Sequence, residues 1–301
     1  MISWLAVIIL AYFFFSLASL GDKLVLARKP NPVVYTFYVG AFSVLLFLII
    51  PFINFGLPAS KTMVWIILEA LVYILGLYMM YSAVKKFDVS KVITTIGATQ
   101  PVFIFALTWL FWGPQIMSKT NILAFAILLL GSIIISIEKS IKLTADYLKI
   151  TILASLMFSL DYIFSKFVFL DLQFVQGFLW MRIFIFLFAM LLLLSPKNRK
   201  EIFEKKNISD IKTNLIFFCT QSAGGTANIL QSLAIFLAPV AFLPIVNSLR
   251  GVQYVFLFLM TLFLSYFVPK ILKEEISKAV IIQKIVSILL IASGLAILVL
   301  Y

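Results

Sequence analysis

Four ionisable side chains stand inside otherwise apolar runs: Glu69, Asp161, Arg182 and Arg250. Their formal charges cancel. An ionised group at the centre of a membrane helix costs about 2.5–3.5 kcal/mol on insertion scales, so it normally has a partner and a task. Asp161 precedes the 171–172 turn by about ten residues and Arg182 follows it by about ten. At 1.5 Å per residue both lie about 15 Å below one surface, on consecutive helices. The spacing predicts an Asp161–Arg182 ion pair, with Glu69 and Arg250 in or near the same layer. The chemistry open to such a set is ion pairing that ties helices, binding of a charged substrate group, or proton carriage by Glu69 if it stands unpaired. Arg250, flanked by Asn247, Gly251 and Gln253, suits an anionic substrate group.

Uncharged polar residues extend the set. The stretch QSAGGTANILQ at 221–231 places Gln221 and Asn228 along one helical face with Gln231 beyond, and small residues between them permit close approach. Gln100 precedes Pro101, whose missing N–H frees a backbone carbonyl, and Gln253 occupies the corresponding place later in the chain. Tyr78, Tyr81 and Trp180 are candidates to line a cavity. The bland reading of each is packing, lipid contact or snorkelling; Lys23 and Lys166, near helix ends, suit interfacial anchoring.

These groups need a hydrocarbon setting. The 301 residues are 63% hydrophobic and contain 31 Phe, with a mean hydropathy of +1.15, more apolar surface than a soluble domain can bury. Ten segments are long enough to span, at about 2–27, 32–53, 62–84, 90–113, 120–137, 149–170, 174–195, 213–237, 240–268 and 280–300. The sequence thus predicts an all-α polytopic membrane protein of ten transmembrane helices. The net charge of +12 lies in short connections rather than in a stripe, which argues against nucleic acid. No histidine and no phosphate-binding G-x-x-x-x-G-K-[ST] loop is present, so enzymatic chemistry, a metal, a cofactor or direct ATP drive is not expected.

The chain repeats itself. FSLASLGDKLV at 15–25 matches FSLDYIFSKFV at 158–168, TQPVFIFALT at 99–108 matches VQYVFLFLMT at 252–261, and LLLGSIII at 128–135 matches IASGLAIL at 291–298. Residues 1–145 and 146–301 read as two five-helix repeats. Five is odd, so the second enters the membrane inverted, an arrangement that builds a binding site at the repeat interface.

The Lys closing the first helix of each repeat (Lys23, Lys166), Arg182 early in a second helix, Ala83 and Ala234 late in the third helices, and the Gln-Pro-Val-Phe run at 100–103 resemble the EamA-type members of the drug/metabolite transporter superfamily. The resemblance covers nearly the whole chain. It implies a carrier of small organic solutes, such as amino acids or metabolites; with the inverted repeats, the expectation is alternating access, facilitated or driven by an ion gradient, of protons rather than sodium. The alternatives are a carrier of nucleotide sugars or other phosphate-bearing substrates, and, from another class, a non-transporting scaffold or a lipid handler. The sequence departs from the family at Phe111-Trp-Gly-Pro114, where an acidic residue is common. It leaves monomer and dimer open.

Orientation follows from charge. Nineteen Lys and Arg lie in the odd-numbered connections and two, Lys61 and Lys119, in the even ones. The positive-inside rule places both termini outside, opposite to the family's usual drawing, in what is read as the plasma membrane. Single-cysteine reporters, made after replacing Cys219, test this: a reporter at Lys85 is expected to resist impermeant maleimide in intact cells and one at Lys119 to react.

Overall fold

The computed structural model describes residues 3–25, 31–53, 55–136, 144–203, 211–267 and 278–300, and every regular element among them is helical. The elements are α1 (Ser3–Val25), α2 (Pro32–Ala41), running into a 3₁₀ segment (Phe42–Phe52), α3 (Ser60–Lys86), α4 (Val89–Trp112), α5 (Lys119–Ser136), α6 (Ala145–Asp171), α7 (Phe174–Leu191), α8 (Pro196–Phe203), α9 (Ile211–Leu237), α10 (Leu243–Ser248), α11 (Arg250–Phe267) and α12 (Lys278–Leu300). Nine segments among the described residues are long and apolar enough to cross a membrane. The expected span at 213–237 is α9: its 27 residues suffice in length, but the polar run from Gln221 to Gln231 lowers its hydropathy. Of the basic residues that set the orientation, Arg28, Lys29, Lys139, Lys142, Lys205, Lys206, Lys270 and Lys273 lie outside the described residues.

Local sequence explains the helix ends. Asn31 accepts hydrogen bonds through its side chain from the backbone N–H groups of Val33 and Val34, while Pro32 fills the first helical position, where its missing N–H costs nothing. Asn31 also donates to Glu201 of α8 at 2.9 Å. After α4, Gly113 adopts φ +86°, ψ 160°, a conformation essentially restricted to glycine; the FWGP departure is thus a turn requirement. The expected continuous span at 240–268 is instead broken at Leu249, between α10 and α11.

The helices gather into two compact units that cut across the two sequence halves. One comprises residues 1–27, 108–139 and 209–301, the other 28–107 and 140–208. In the first, α1 packs on α9 and α11, and α5 on α10, α11 and α12. In the second, α3 packs on α2, α6 and α7. A column of hydroxyls and amides joins α4 to α6: Thr95 with the Tyr147 hydroxyl at 2.5 Å, Thr99 with Ser155 at 2.8 Å, and Ser159 donating to the Gln100 carbonyl at 3.2 Å. Their spacing of about one turn keeps them on one seam, where small polar side chains hold membrane helices together.

Gly76 permits a close α3–α6 approach: a Cβ there would lie 3.0 Å from the Phe158 ring and 3.3 Å from the Met157 Cβ. Gly76→Leu is therefore expected to force α3 and α6 apart and to cost about 1–3 kcal/mol as an overpacked contact, read as a lowered unfolding temperature in detergent.

Candidate functional site

Within the second unit, α3, α6 and α7 bring together Glu69, Asp161 and Arg182. Glu69 is 1% exposed, so it does not snorkel to an interface. Its carboxyl shares a hydrogen bond with Asp161, and Arg182 acts on both acids through Coulombic attraction. Asp161 and Arg182 thus interact electrostatically, as the spacing suggested, but the hydrogen bond of Asp161 goes to the other acid. The guanidinium lies over the rings of Phe178, 4.7 Å from the centroid, and Tyr73, at 5.4 Å, and hydrogen bonds the Tyr73 side chain. A planar cation stacks on aromatic faces in this way. Tyr73 in turn meets Phe158 edge-on at 6.4 Å.

Burial sorts the two acids. A hydrogen bond between carboxyl groups requires one of them to carry the proton. Glu69 is enclosed, whereas Asp161 and Arg182 are half-buried. Glu69 Oε2 and Arg182 Nε are nevertheless buried without hydrogen-bond partners. The cluster therefore holds an acceptor and a donor in reserve.

Arg250 belongs to the first unit and begins α11. Tyr12 is one of its electrostatic neighbours, and the Tyr12 hydroxyl donates to the carbonyls of Val246 at 2.9 Å and Asn247 at 3.4 Å. Ser132 of α5 ties the α10–α11 break by donating to the Ser248 carbonyl at 2.6 Å and accepting from the Gly251 N–H at 3.0 Å. The Asn247 side chain is 0% exposed and both its polar atoms lack partners. Gln253 donates to Ser19 at 3.1 Å.

The remaining candidates are placed as follows. Gln100 is buried in the α4–α6 seam and donates to the Phe158 carbonyl at 3.4 Å. Asn228 donates to the Gly224 carbonyl of its own helix at 2.9 Å. Gln221 and Gln231 on α9 are half-buried, and an added Cβ at Gly225 would meet nothing within 4 Å, so this glycine is no close-approach point. The tight face of α9 is instead that of Ala227 and Ala234, both fully buried. Trp180 stacks on Phe55 at 4.8 Å and donates to the Gly56 carbonyl at 3.1 Å. Tyr81 packs on Tyr35 at 5.2 Å, and Tyr78 is exposed. Lys166, read as an interfacial anchor, is buried at 4% exposure.

Tyr73, Phe178, Tyr12 and Ser132 were not singled out from the sequence. Tyr73 carried a signal, standing one helical turn beyond Glu69 and so on the same face. Phe178 stands four residues before Arg182, the same relation. Ser132 carried none, because its partners are backbone groups of a helix break.

Arg182→Ala removes the cation that acts on both acids. It is expected to lower stability by about 1–3 kcal/mol, less than a fully enclosed pair would lose because Arg182 is half-buried. Adding Asp161→Asn should recover part of the loss, measured by thermal unfolding in detergent.

No family profile and no curated protein matches the chain. A solved structure described only as "Crystal structure of protein" shares its fold, with a TM-score of 0.68 and 16% identity over 99% of this chain and 96% of that one.

Proposed function

We propose that the chain is a secondary transporter of small organic solutes, such as amino acids or related metabolites, working by alternating access in the manner of the EamA-type drug/metabolite transporters. The observation that carries this reading is the Glu69–Asp161–Arg182 cluster: two acids and one base set into three spanning helices, with a half-buried face and polar atoms left unused. A bundle that needed only to hold together would do so with apolar and small polar contacts, as the α4–α6 seam does, without the cost of intramembrane charge. The ten-helix count, the inverted repeats and the plasma-membrane setting with both termini outside belong to the same proposal.

A phosphate-bearing substrate draws less support. Arg182 faces two carboxyls, which oppose an incoming anion of high charge, and Arg250 lies in the other unit. A lipid handler has one feature in its favour, an all-apolar groove of about 440 Å³ lined by Phe13, Leu17, Leu20, Phe256, Leu259 and neighbouring residues of α1 and α11. It holds no group that could read a headgroup, so the transporter is preferred.

The test is uptake into proteoliposomes across a panel of radiolabelled amino acids, amines and nucleotide sugars, with a fluorescent-lipid scrambling assay on the same vesicles. Saturable uptake of a panel member by the wild type, reduced at least tenfold in Arg182→Ala, is expected. Scrambling without solute uptake would overturn the proposal in favour of the lipid handler.

A further inference from the structure

The helix α8, PKNRKEIF at 196–203, follows the spanning α7 after one 3₁₀ turn and therefore lies at a membrane surface. Its inner side is fastened to α2. Ile202 is buried, the Tyr38 hydroxyl donates to its carbonyl at 3.3 Å, and Asn31, which caps α2, donates to the Glu201 carboxylate at 2.9 Å. Glu201 is the one acid of α8, so this contact turns the only negative charge of the helix toward the protein. The outer side is left to three cations, Lys197, Arg199 and Lys200, all exposed. Among the described residues none of the three makes an ion pair.

Apolar groups are interleaved with these charges. Phe203 stands four residues after Arg199 and three after Lys200, so helical spacing sets its ring between two cations. The ring meets Phe37 edge-on, at 6.3 Å between centroids, yet remains 61% exposed. Leu194, in the turn that leads into α8, is 78% exposed. Exposed apolar groups flanked by cations match a bilayer surface, where rings and aliphatic chains enter the acyl boundary. The ammonium and guanidinium groups there meet headgroup phosphates.

We propose that α8 is a binding site for anionic phospholipid, with Lys197, Arg199 and Lys200 holding the headgroup and Phe203 and Leu194 seated among the acyl chains. Charge decides between lipids. The helix sets three cations against one acid, and that acid is engaged by Asn31. A headgroup with net negative charge is therefore favoured over a zwitterionic one, which brings its own cation. Each cation near an anionic surface strengthens binding about fivefold. The lipid also steadies the foot of α2, because Asn31 is shared: its side-chain oxygen accepts from Val33 and Val34 while its side-chain nitrogen holds Glu201. The site requires only a membrane and is independent of the transporter reading.

The experiment uses the full-length protein purified in detergent and titrated with phosphatidylglycerol or with phosphatidylcholine of the same acyl chains. Native mass spectrometry counts the lipid retained. The wild type is expected to hold phosphatidylglycerol at least tenfold more tightly, and to lose that preference in about 1 M salt, which screens charges beyond about 3 Å. Combining Lys197→Gln, Arg199→Gln and Lys200→Gln should abolish it. Lys85→Gln with Lys86→Gln, which neutralises two exposed cations at the end of α3, should leave it within about twofold. Phe203→Ser should weaken both lipids alike, because it removes an acyl contact and keeps the charges. Each variant is checked for a wild-type elution profile. Equal retention of the two lipids by the wild type, a preference that survives the triple substitution, or an equal loss in the α3 variant overturns the proposal. Displacement of phosphatidylglycerol by an equal concentration of glycerol phosphate overturns it too, in favour of a site for a soluble anion.

Discussion

The second unit is organised by the need to keep charge balanced where water is scarce. Two carboxyls and a guanidinium cannot share a spanning layer unless their fields cancel and their polar atoms find partners. The hydrogen bond between Glu69 and Asp161 disposes of one charge, Arg182 compensates the other, and the aromatic rings of Tyr73 and Phe178 hold the guanidinium flat. Much else serves this geometry. Gly76 lets α6 come near enough to α3 for the two acids to meet, and the Thr95–Tyr147, Thr99–Ser155 and Ser159–Gln100 contacts fix the register of α6 against α4.

The first unit solves a different problem. An interrupted spanning helix exposes backbone groups that hydrocarbon cannot satisfy, so the protein must supply partners. Ser132 bridges the break at Leu249 from both sides, and Tyr12 covers the carbonyls of Val246 and Asn247 just before it. Arg250 sits at the first turn of α11, beside these hydroxyl and amide groups. The polarity around 247–253 is thus tied to a break in the backbone.

How far the sequence could be read depended on whether the deciding interaction was local. Spans set by length and apolar character emerged within a few residues: 62–84 against Ser60–Lys86, and 149–170 against Ala145–Asp171. The depth argument from the 171–172 turn brought Asp161 and Arg182 to one cluster, because helical rise is fixed. It could not say which partner each would choose, since that depends on the rotation of α3, and the choice fell on an acid pair. Trp180 and Tyr81 were candidates to line a cavity, yet their rings are taken up by Phe55, Gly56 and Tyr35, from a connection and a helix far away in the chain. The break at Leu249 was hidden for the same reason: the chain there is apolar enough to continue, and the hydroxyl that stabilises an interruption comes from α5.

The 3₁₀ segment Phe42–Phe52 has a mechanical corollary. A three-residue turn aligns Phe42, Leu45, Leu48 and Pro51 into one straight outward ridge, and all four are exposed. It also stretches the rod: eleven residues rising about 2.0 Å each, rather than 1.5 Å, reach about 5 Å further than an α-helix of equal length. The chain arriving at Gly56, whose carbonyl receives Gln176 and Trp180 of α7, is fed from that extra reach. Rewinding the segment into α form would give up that reach of about 5 Å, so the contacts of Gly56 with α7 depend on the 3₁₀ winding.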